Sequence, residues 1–457
     1  MCNYYYINGR RENLEKPWKA LAAACLIILM LPSLAGCFKT YADDLYCLPV
    51  ASEENVRLQG LIKDVSAGAE YSPPSGGSNR QAVQAVDLDG DGVNEVLAFF
   101  SGTGENPQKI CIFKKDGDEY ETRLVIEGAG TAIESVRYID MDGDGWREIV
   151  VGWQIEMGIQ HMNIYSIKEY NAVKLAGAEY SAITNFDIVG DGSNAIVCLK
   201  LPTPETPGEA ETFILMPDGE MVSRKAQLSA GVEAISRVIR GRLATGAPAI
   251  FVESRINTTN VVTDVLVNRG DRLVNISISA TSGISDDTLR ALPIYCQDID
   301  GDGRTELPIP RLLKAQSQTN YYSYDWYAYY ADGSRRLSYT TYHNNSDGWF
   351  LIIPSDWRER VSIRREDSVQ GERTLVFSFI GDADDEYLDF LKIYTLSGDD
   401  REDRARLSGR FRLRGEGEIV FAAELLSGAE LHGLTMNREI VSDNFRLIIS
   451  EWIIGAG

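Results

Sequence analysis

The chain has 457 residues, 44% hydrophobic and 25% charged, a composition typical of soluble globular proteins. A chain of this length exceeds one ordinary hydrophobic core, so several cores or a repeat array are expected. The formal net charge of -22 argues against nucleic acid as a partner, because a phosphate backbone would be repelled.

The N-terminus has the pattern of an export signal. Basic residues precede an apolar run at residues 20–31, which is shorter than the roughly 20 residues that cross a bilayer. The following Leu34-Ala35-Gly36-Cys37 resembles the bacterial lipobox, whose cysteine becomes the lipidated first residue of the mature protein. We expect a lipoprotein signal peptide at residues 1–36, lipidation of Cys37, and a tether and lead-in segment at residues 37–80. An ordinary signal peptide with a chance cysteine is the alternative.

The remaining cysteines of the mature chain are widely spaced and form no CxxC pair. They are Cys47, Cys111, Cys198 and Cys296. A disulfide framework is therefore unsupported, and buried free thiols are the simpler expectation.

From residue 81 onward a unit recurs that contains an apolar strand, an acidic turn, a second apolar strand and a hairpin. Three turns are complete: DLDGDGVNE at residues 87–95, DMDGDGWRE at 140–148 and DIDGDGRTE at 298–306. A copy at residues 187–195 lacks the acids at its third and ninth positions, and a copy at 241–249 has lost every acid. Five units of about 50 residues predict a mainly β fold, a β-propeller of at least five four-stranded blades at residues 81–345.

The pattern changes near Trp349, and no further acidic turn follows. We therefore expect a small C-terminal α+β domain at residues 346–457. Irregular closing blades are the alternative.

The acidic turns have the ligand types of a calcium loop. Ca²⁺ takes about six to eight oxygens, which a short loop supplies by placing carboxylates at alternate positions. Glycine at the sixth position permits the turn that folds these oxygens inward. The expected ligands are three aspartates, one backbone carbonyl and a closing glutamate in each loop: Asp87, Asp89, Asp91, Val93 and Glu95; Asp140, Asp142, Asp144, Trp146 and Glu148; and Asp298, Asp300, Asp302, Arg304 and Glu306.

The loops are not EF-hands, because the closing acid lies at the ninth position and strands flank each loop. They resemble the calcium loops of FG-GAP or VCBS-type repeats, as in integrin-like propellers. The resemblance covers roughly residues 81–340 and implies structural calcium in an adhesion or ligand-binding platform. The degenerate turn at Asp187 is expected to bind metal weakly or not at all. A polar turn without metal is the alternative for every loop.

No catalytic motif was recognised, and the three histidines have no metal-ligand spacing. Aromatic residues between Tyr321 and Tyr330 could stack on a sugar or peptide, although an edge strand half-covered by its neighbour is the better explanation. The first hypothesis is a non-enzymatic binding or scaffold protein, lipid-anchored on the extracytoplasmic face of a cell membrane, with an envelope protein or carbohydrate as ligand. The second is an enzyme acting on cell-envelope polysaccharide or peptidoglycan. The third is a C-terminal docking domain with the propeller as spacer.

Overall fold

A computed structural model of the chain describes residues 53–448 except 118, 157, 292–293, 315, 317, 368, 382–385 and 428–435. The expected signal peptide, Cys37 and Cys47 lie outside the described residues. The chain divides into two compact units, residues 1–64 with 116–120 and residues 65–115 with 121–457. Helix α1 (Glu53–Ser66) begins in the first unit, with two glutamates in its first turn and Lys63 in its last, which complements the helix dipole.

The rest of the described chain is predominantly antiparallel β-structure, in six sheets that follow one another in sequence. The first sheet contains β1 (Glu70–Tyr71), β2 (Val83–Val86), β3 (Glu95–Ser101), β4 (Gln108–Asp116) and β5 (Glu119–Gly128). The second contains β6 (Ala132–Ile139), β7 (Glu148–Glu156), β8 (Ile159–Ser166) and β9 (Val173–Tyr180). The third contains β10 (Ala182–Phe186), β11 (Ala195–Lys200), β12 (Glu209–Leu215) and β13 (Met221–Gln227).

The fourth sheet contains β14 (Ala234–Arg242), β15 (Pro248–Arg255), β16 (Val261–Arg269) and β17 (Arg272–Asn275). The fifth contains β18 (Glu306–Leu312), β19 (Tyr322–Tyr329), β20 (Arg335–Asn344) and β21 (Trp349–Ile353). The sixth contains β22 (Val361–Arg365), β23 (Glu372–Ile380), β24 (Tyr387–Ser397), β25 (Arg410–Glu416) and β26 (Ile419–Leu425), and β26 lies between β24 and β25. Two short helices, α2 (Arg401–Arg404) and α3 (Arg438–Asn444), precede the last strand, β27 (Phe445–Leu447), which pairs with β21.

The sequence explains which strands are central. β3 and β15 are nearly continuous apolar runs and are buried on both faces, as interior strands require. β5 and β13 alternate between exposed and partly covered residues, which suits outer strands with one solvated face.

Each sheet packs against the next through a shared hydrophobic cluster. The clusters that join successive sheets contain, in chain order, Phe99 with Trp153, Ile164 with Phe213, Leu199 with Val252, Phe251 with Leu307, and Trp349 with Phe377. The hydrophobic core is therefore a series of layers between successive sheets.

The expected domain boundary between residues 345 and 346 falls inside the fifth sheet. β20 and β21 pair from Thr340 with Ile353 to Asn344 with Trp349. The turn between them is tight, because Gly348 has φ 73° and its N–H donates to the carbonyl of Asn344 at 2.9 Å. The apolar run at Trp349 thus belongs to this sheet, and the described residues after it form a further β-sheet with two short helices.

Cys111, Cys198 and Cys296 are buried and free, as the sequence predicted. Burial raises the pKa of Cys111 to about 11 and that of Cys198 to about 12, so both thiols stay protonated at neutral pH. The aromatic strand β19 buries Tyr324, Trp326 and Tyr329, which favours a core role over ligand stacking. None of the helices in the described part of the chain has the length and hydropathy needed to cross a membrane.

Candidate metal centres

The three complete acidic loops occupy equivalent places in the fold. Two of them connect β2 to β3 and β6 to β7, and the third leads into β18. In each loop the closing glutamate is the first residue of the strand that follows: Glu95, Glu148 and Glu306. All three glutamates are almost completely buried, so each loop places an acid at the edge of the core.

Short hydrogen bonds to the backbone fold each loop. The first aspartate accepts from the N–H groups of the fourth and sixth residues, both glycines with positive φ. For Asp87 these N–H donors are Gly90 at 2.8 Å and Gly92 at 3.1 Å. Asp140 and Asp298 accept the same two bonds at 2.7 to 3.1 Å. The bonds are local, so the turn geometry follows directly from the order of aspartates and glycines.

The fifth residue of each loop also caps the turn. Asp91 accepts from the N–H of Val93 at 2.7 Å, Asp144 from that of Trp146 at 2.9 Å, and Asp302 from that of Arg304 at 2.8 Å. These bonds fix one oxygen of each carboxylate. The second oxygen of each of these carboxylates can contact other partners.

The structure brings three carboxylate oxygens of each loop within 4.8 Å of one another. The convergent residues are Asp87, Asp89 and Glu95 in the first loop, Asp140, Asp142 and Asp144 in the second, and Asp298, Asp300 and Asp302 in the third. Glu148 and Glu306 lie outside these tight groups. Such all-oxygen sets suit a hard cation such as Ca²⁺.

Each closing glutamate is bound to the backbone of its own loop. One oxygen of each accepts from the N–H of the second loop residue: Leu88 at 2.8 Å, Met141 at 3.1 Å and Ile299 at 3.3 Å. The other oxygen of Glu148, Oε1, is buried without a hydrogen-bond partner among the described residues. A buried oxygen of this kind is costly unless a cation or donor reaches it.

Burial also changes the acidity of these groups. It raises the pKa of Glu148 to about 7 and that of Glu306 to about 8, and the charges of neighbouring aspartates act in the same direction. A bound divalent cation would favour the ionised forms and offset this penalty.

Two lysines that the sequence reasoning missed reach into the loops. Lys114, in β4, contacts Asp89, lies 2.8 Å from Asp91 and lies 3.4 Å from Glu95. Lys168 lies 3.2 Å from Asp142 and 2.5 Å from Asp144. The lysine ammonium groups thus partly neutralise the first two loops. An alignment of the repeat units could have found these lysines. Lys114 lies near the end of the third strand of its unit, and Lys168 follows the third strand of its unit.

The third loop has different partners. Arg304 pairs with Asp302 at 2.6 Å within the loop. Tyr339 hydrogen-bonds to Asp300, and its pKa is raised mainly by burial and further by this hydrogen bond. No lysine among the described residues forms an ion pair with this loop. The cationic partner of this loop is therefore an arginine of the loop itself rather than a lysine from another part of the sheet.

The degenerate turn keeps the backbone geometry without the ligand set. Asp187 accepts from the N–H groups of Gly190 at 2.6 Å and Gly192 at 3.0 Å, as in the complete loops. The third and ninth positions are Val189 and the buried Ala195. The turn geometry thus does not require the full set of acids, and weak or absent metal binding at this turn remains a prediction.

Neighbouring units are joined by a repeating backbone bond. The N–H of Arg147, at the eighth position of the second loop, donates to Leu88 of the first at 2.8 Å. The N–H of Thr305, at the eighth position of the last loop, donates in the same way to Arg242 of the acid-free turn at 2.9 Å. The fourth unit therefore occupies its place in the repeat although it lacks acids.

Comparison with known families identifies an FG-GAP-like repeat at residues 87–151. The matched region begins at the first aspartate of the first loop and ends within β7, so it includes two of the three complete acidic loops. A comparison with curated proteins found no match.

Proposed function

We propose that the protein is a non-enzymatic binding or scaffold protein whose sheets are the blades of a calcium-stabilised β-propeller. It is anchored through lipid on Cys37 at the extracytoplasmic face of a cell membrane, and its ligand is an envelope protein or carbohydrate. The single observation that carries the calcium role is the recurrence of a convergent carboxylate loop at the same point of three sheets.

The propeller is supported by connectivity and packing. Antiparallel sheets of four or five strands follow one another in sequence, and each shares a hydrophobic cluster with the next. The FG-GAP-like repeat and the backbone bond between neighbouring loops support the same architecture. In such an arrangement each blade buries the face that the previous blade leaves exposed.

A structural role for calcium is supported by where the carboxylates lie. Each loop leads into a strand of its sheet, and its closing glutamate is buried at the start of that strand. A cation bound there would link the turn to the core and would supply the partner that Glu148 lacks. This arrangement stabilises the scaffold and leaves ligand binding to other surfaces.

The lipid anchor is supported by the sequence pattern at residues 20–37. Two acyl chains on Cys37 would give durable attachment without a membrane-crossing helix. Extracytoplasmic calcium is abundant enough to fill sites of modest affinity.

The hydrolase alternative receives less support. The two glutamates with strongly raised pKa, Glu148 and Glu306, belong to acidic loops in different sheets. A glycosidase needs two carboxyl groups on opposite sides of one bond, about 5–10 Å apart. Within each loop the carboxylates instead converge on one point.

The deciding experiment combines Asp89→Ala, Asp142→Ala and Asp300→Ala in one variant. We expect calcium to raise the melting temperature of the unaltered protein by several degrees, because ligand bound only to the folded state stabilises it by about 2.7 kcal/mol at a hundred times Kd. The triple variant should lose this rise. A variant with Asp218→Ala and Asp332→Ala, which alters exposed hairpin aspartates, should retain it. A calcium-induced rise that persists in the triple variant would refute the metal role.

A further inference from the structure

A cavity of about 590 Å³ lies along the first strands of the second, third and fourth sheets. Its walls include residues of β6, β10 and β14, together with residues 77–80 before β2. Four arginines line it: Arg80, Arg137, Arg237 and Arg240. This concentration of positive charge is unexpected in a chain of net charge -22.

None of the four arginines has a carboxylate partner within 4.0 Å among the described residues, although 67 acids are present in the chain. Glu253, whose carboxyl group feels the charge of Arg237, is held instead by Arg290 at 2.6 Å. The positive charge of the cavity is therefore not neutralised by the ordinary ion pairs that surround other arginines of this protein.

The local contacts hold the arginines in place without using all their donors. Arg137 from β6 and Arg240 from β14 both donate to carbonyl groups of β10, to Ile183 at 3.4 Å and to Asn185 at 3.5 Å. Arg237 lies over the ring of Tyr295 at 5.3 Å. Each guanidinium has five N–H donors, so several remain for a ligand.

One donor has no acceptor. Arg137 lines the cavity, and its Nη1 is buried without a hydrogen-bond partner among the described residues. A buried charged donor without an acceptor is costly. Because Nη1 has almost no accessible surface, an oxyanion in the cavity reaches it only after the Arg137 side chain shifts.

We propose that this cavity binds a small anionic ligand that carries carboxylate or phosphate groups among hydroxyl groups, with the size of an acidic sugar. Guanidinium groups bind planar oxyanions in bidentate geometry. The polar side chains of Ser78, Thr184 and Ser236 in the same walls can pair with hydroxyl groups. The volume lies within the usual range of about 300–1,000 Å³ for small-molecule sites.

This inference rests on the binding role proposed above and gives it a ligand class, but it does not depend on calcium. The first strands of three sheets line the cavity. The acidic loops contribute no residue to it, although they belong to the same series of sheets. The two proposals can therefore fail separately.

The test is calorimetric titration of the calcium-loaded protein, at low salt, with D-glucuronate, glucose 6-phosphate and glucose. We expect one or both anions to bind and glucose to bind far more weakly. Binding of glucuronate alone assigns a carboxylate ligand, and binding of glucose 6-phosphate alone assigns a phosphate ligand. The variant with Arg137→Gln and Arg240→Gln should weaken anion binding at least about tenfold.

Arg242→Gln is the matched control, because Arg242 lies on the same strand as Arg240 and is exposed but does not line the cavity. It should bind the anions as the unaltered protein does. If the double variant fails to fold, Arg240→Gln alone replaces it, since Arg240 is exposed.

The proposal is overturned if neither anion binds below about 10 mM, if glucose binds equally well, or if the arginine variants leave anion binding unchanged. The calcium-induced melting shift is measured on the same preparations. If the anions bind but calcium does not raise the melting temperature, the metal role alone fails. If calcium raises the melting temperature but neither anion binds, the anion site alone fails.

Discussion

The hydroxyl group of Tyr170 lies 2.9 Å from Oε1 of Glu95, so a residue that follows the second sheet's third strand contacts the buried acid of the first loop. The same hydroxyl lies 2.8 Å from Asp89. Tyr170 and Glu169 both have positive φ, 57° and 53°, which is unfavourable for residues with a side chain. Such backbone strain persists where surrounding contacts hold it, and here it accompanies the contact between a loop and the neighbouring sheet.

Tyr170→Phe should destabilise the calcium-free protein by about 1–2 kcal/mol, because it removes the donor shared by two loop carboxylates. Urea unfolding in a chelator measures this change. Tyr71→Phe is the control, since Tyr71 is exposed and stacks on Phe100 through its ring. Equal effects of the two substitutions would contradict a specific role for the Tyr170 hydroxyl.

Lys114→Met should raise the calcium affinity of the first loop at least about threefold, because the lysine ammonium competes with the cation for Asp89 and Asp91. Without calcium the same variant should be less stable, since its carboxylates then repel one another. Calorimetric calcium titration in a background with Asp142→Ala and Asp300→Ala isolates this loop. Lys109→Met, on the same strand but paired with Glu127, is the control. Unchanged or weaker binding would show that the lysine does not compete.

Glu148→Gln should have effects of opposite sign with and without calcium. Without the cation, the amide replaces an unpartnered buried oxygen by a donor near aspartates, so thermal stability should increase. With calcium, loss of the negative charge should weaken binding about tenfold or more and lower stability relative to the unaltered protein. Thermal melts in chelator and in excess calcium distinguish the two effects, with the exposed Glu156→Gln as control. A change of the same sign in both conditions would argue against a cation at this glutamate.

Arg290→Met should destabilise the fourth sheet by about 3–5 kcal/mol, because Glu253 would then be buried without its counter-ion. The two side chains are fully buried and 2.6 Å apart. The double variant with Glu253→Met should recover much of this loss, since no unpaired charge remains. Urea unfolding of the two single variants and the double variant measures the coupling. Additive single effects would exclude an interaction between the pair.

Cys37→Ser should abolish incorporation of labelled palmitate and move the protein from the membrane fraction to the soluble fraction. Cys47→Ser is the matched control and should change neither property. Membrane retention of the Cys37 variant would point to another mode of attachment.

The local parts of the site could be predicted from sequence. The turn geometry depends on bonds between Asp87 and glycines at most five residues away, and the order of residue types encodes these bonds. The buried strand that follows was equally visible as an apolar run. The contacts that Lys114 and Tyr170 make could not be predicted in this way, because a single sequence does not say which distant side chains meet.

The same limit applies to the predicted domain boundary between residues 345 and 346. Loss of the acidic turn was interpreted as the start of another domain, whereas pairing between β20 and β21 continues across this point. The return of β27 to β21 was also not predicted, since nothing in Phe445–Leu447 specifies a partner almost a hundred residues earlier. Strand pairing of this kind is decided by tertiary packing.

The turn at Asp187 has an evolutionary consequence. It keeps the hydrogen-bonded bend of the complete copies with Val189 and Ala195 where they have acids, so the carboxylate set and the chain reversal are separable properties of the same nine residues. One or two point mutations can remove the acids of a turn without disrupting its sheet. The number of turns with a complete set of acids can therefore change between descendants of one ancestral gene.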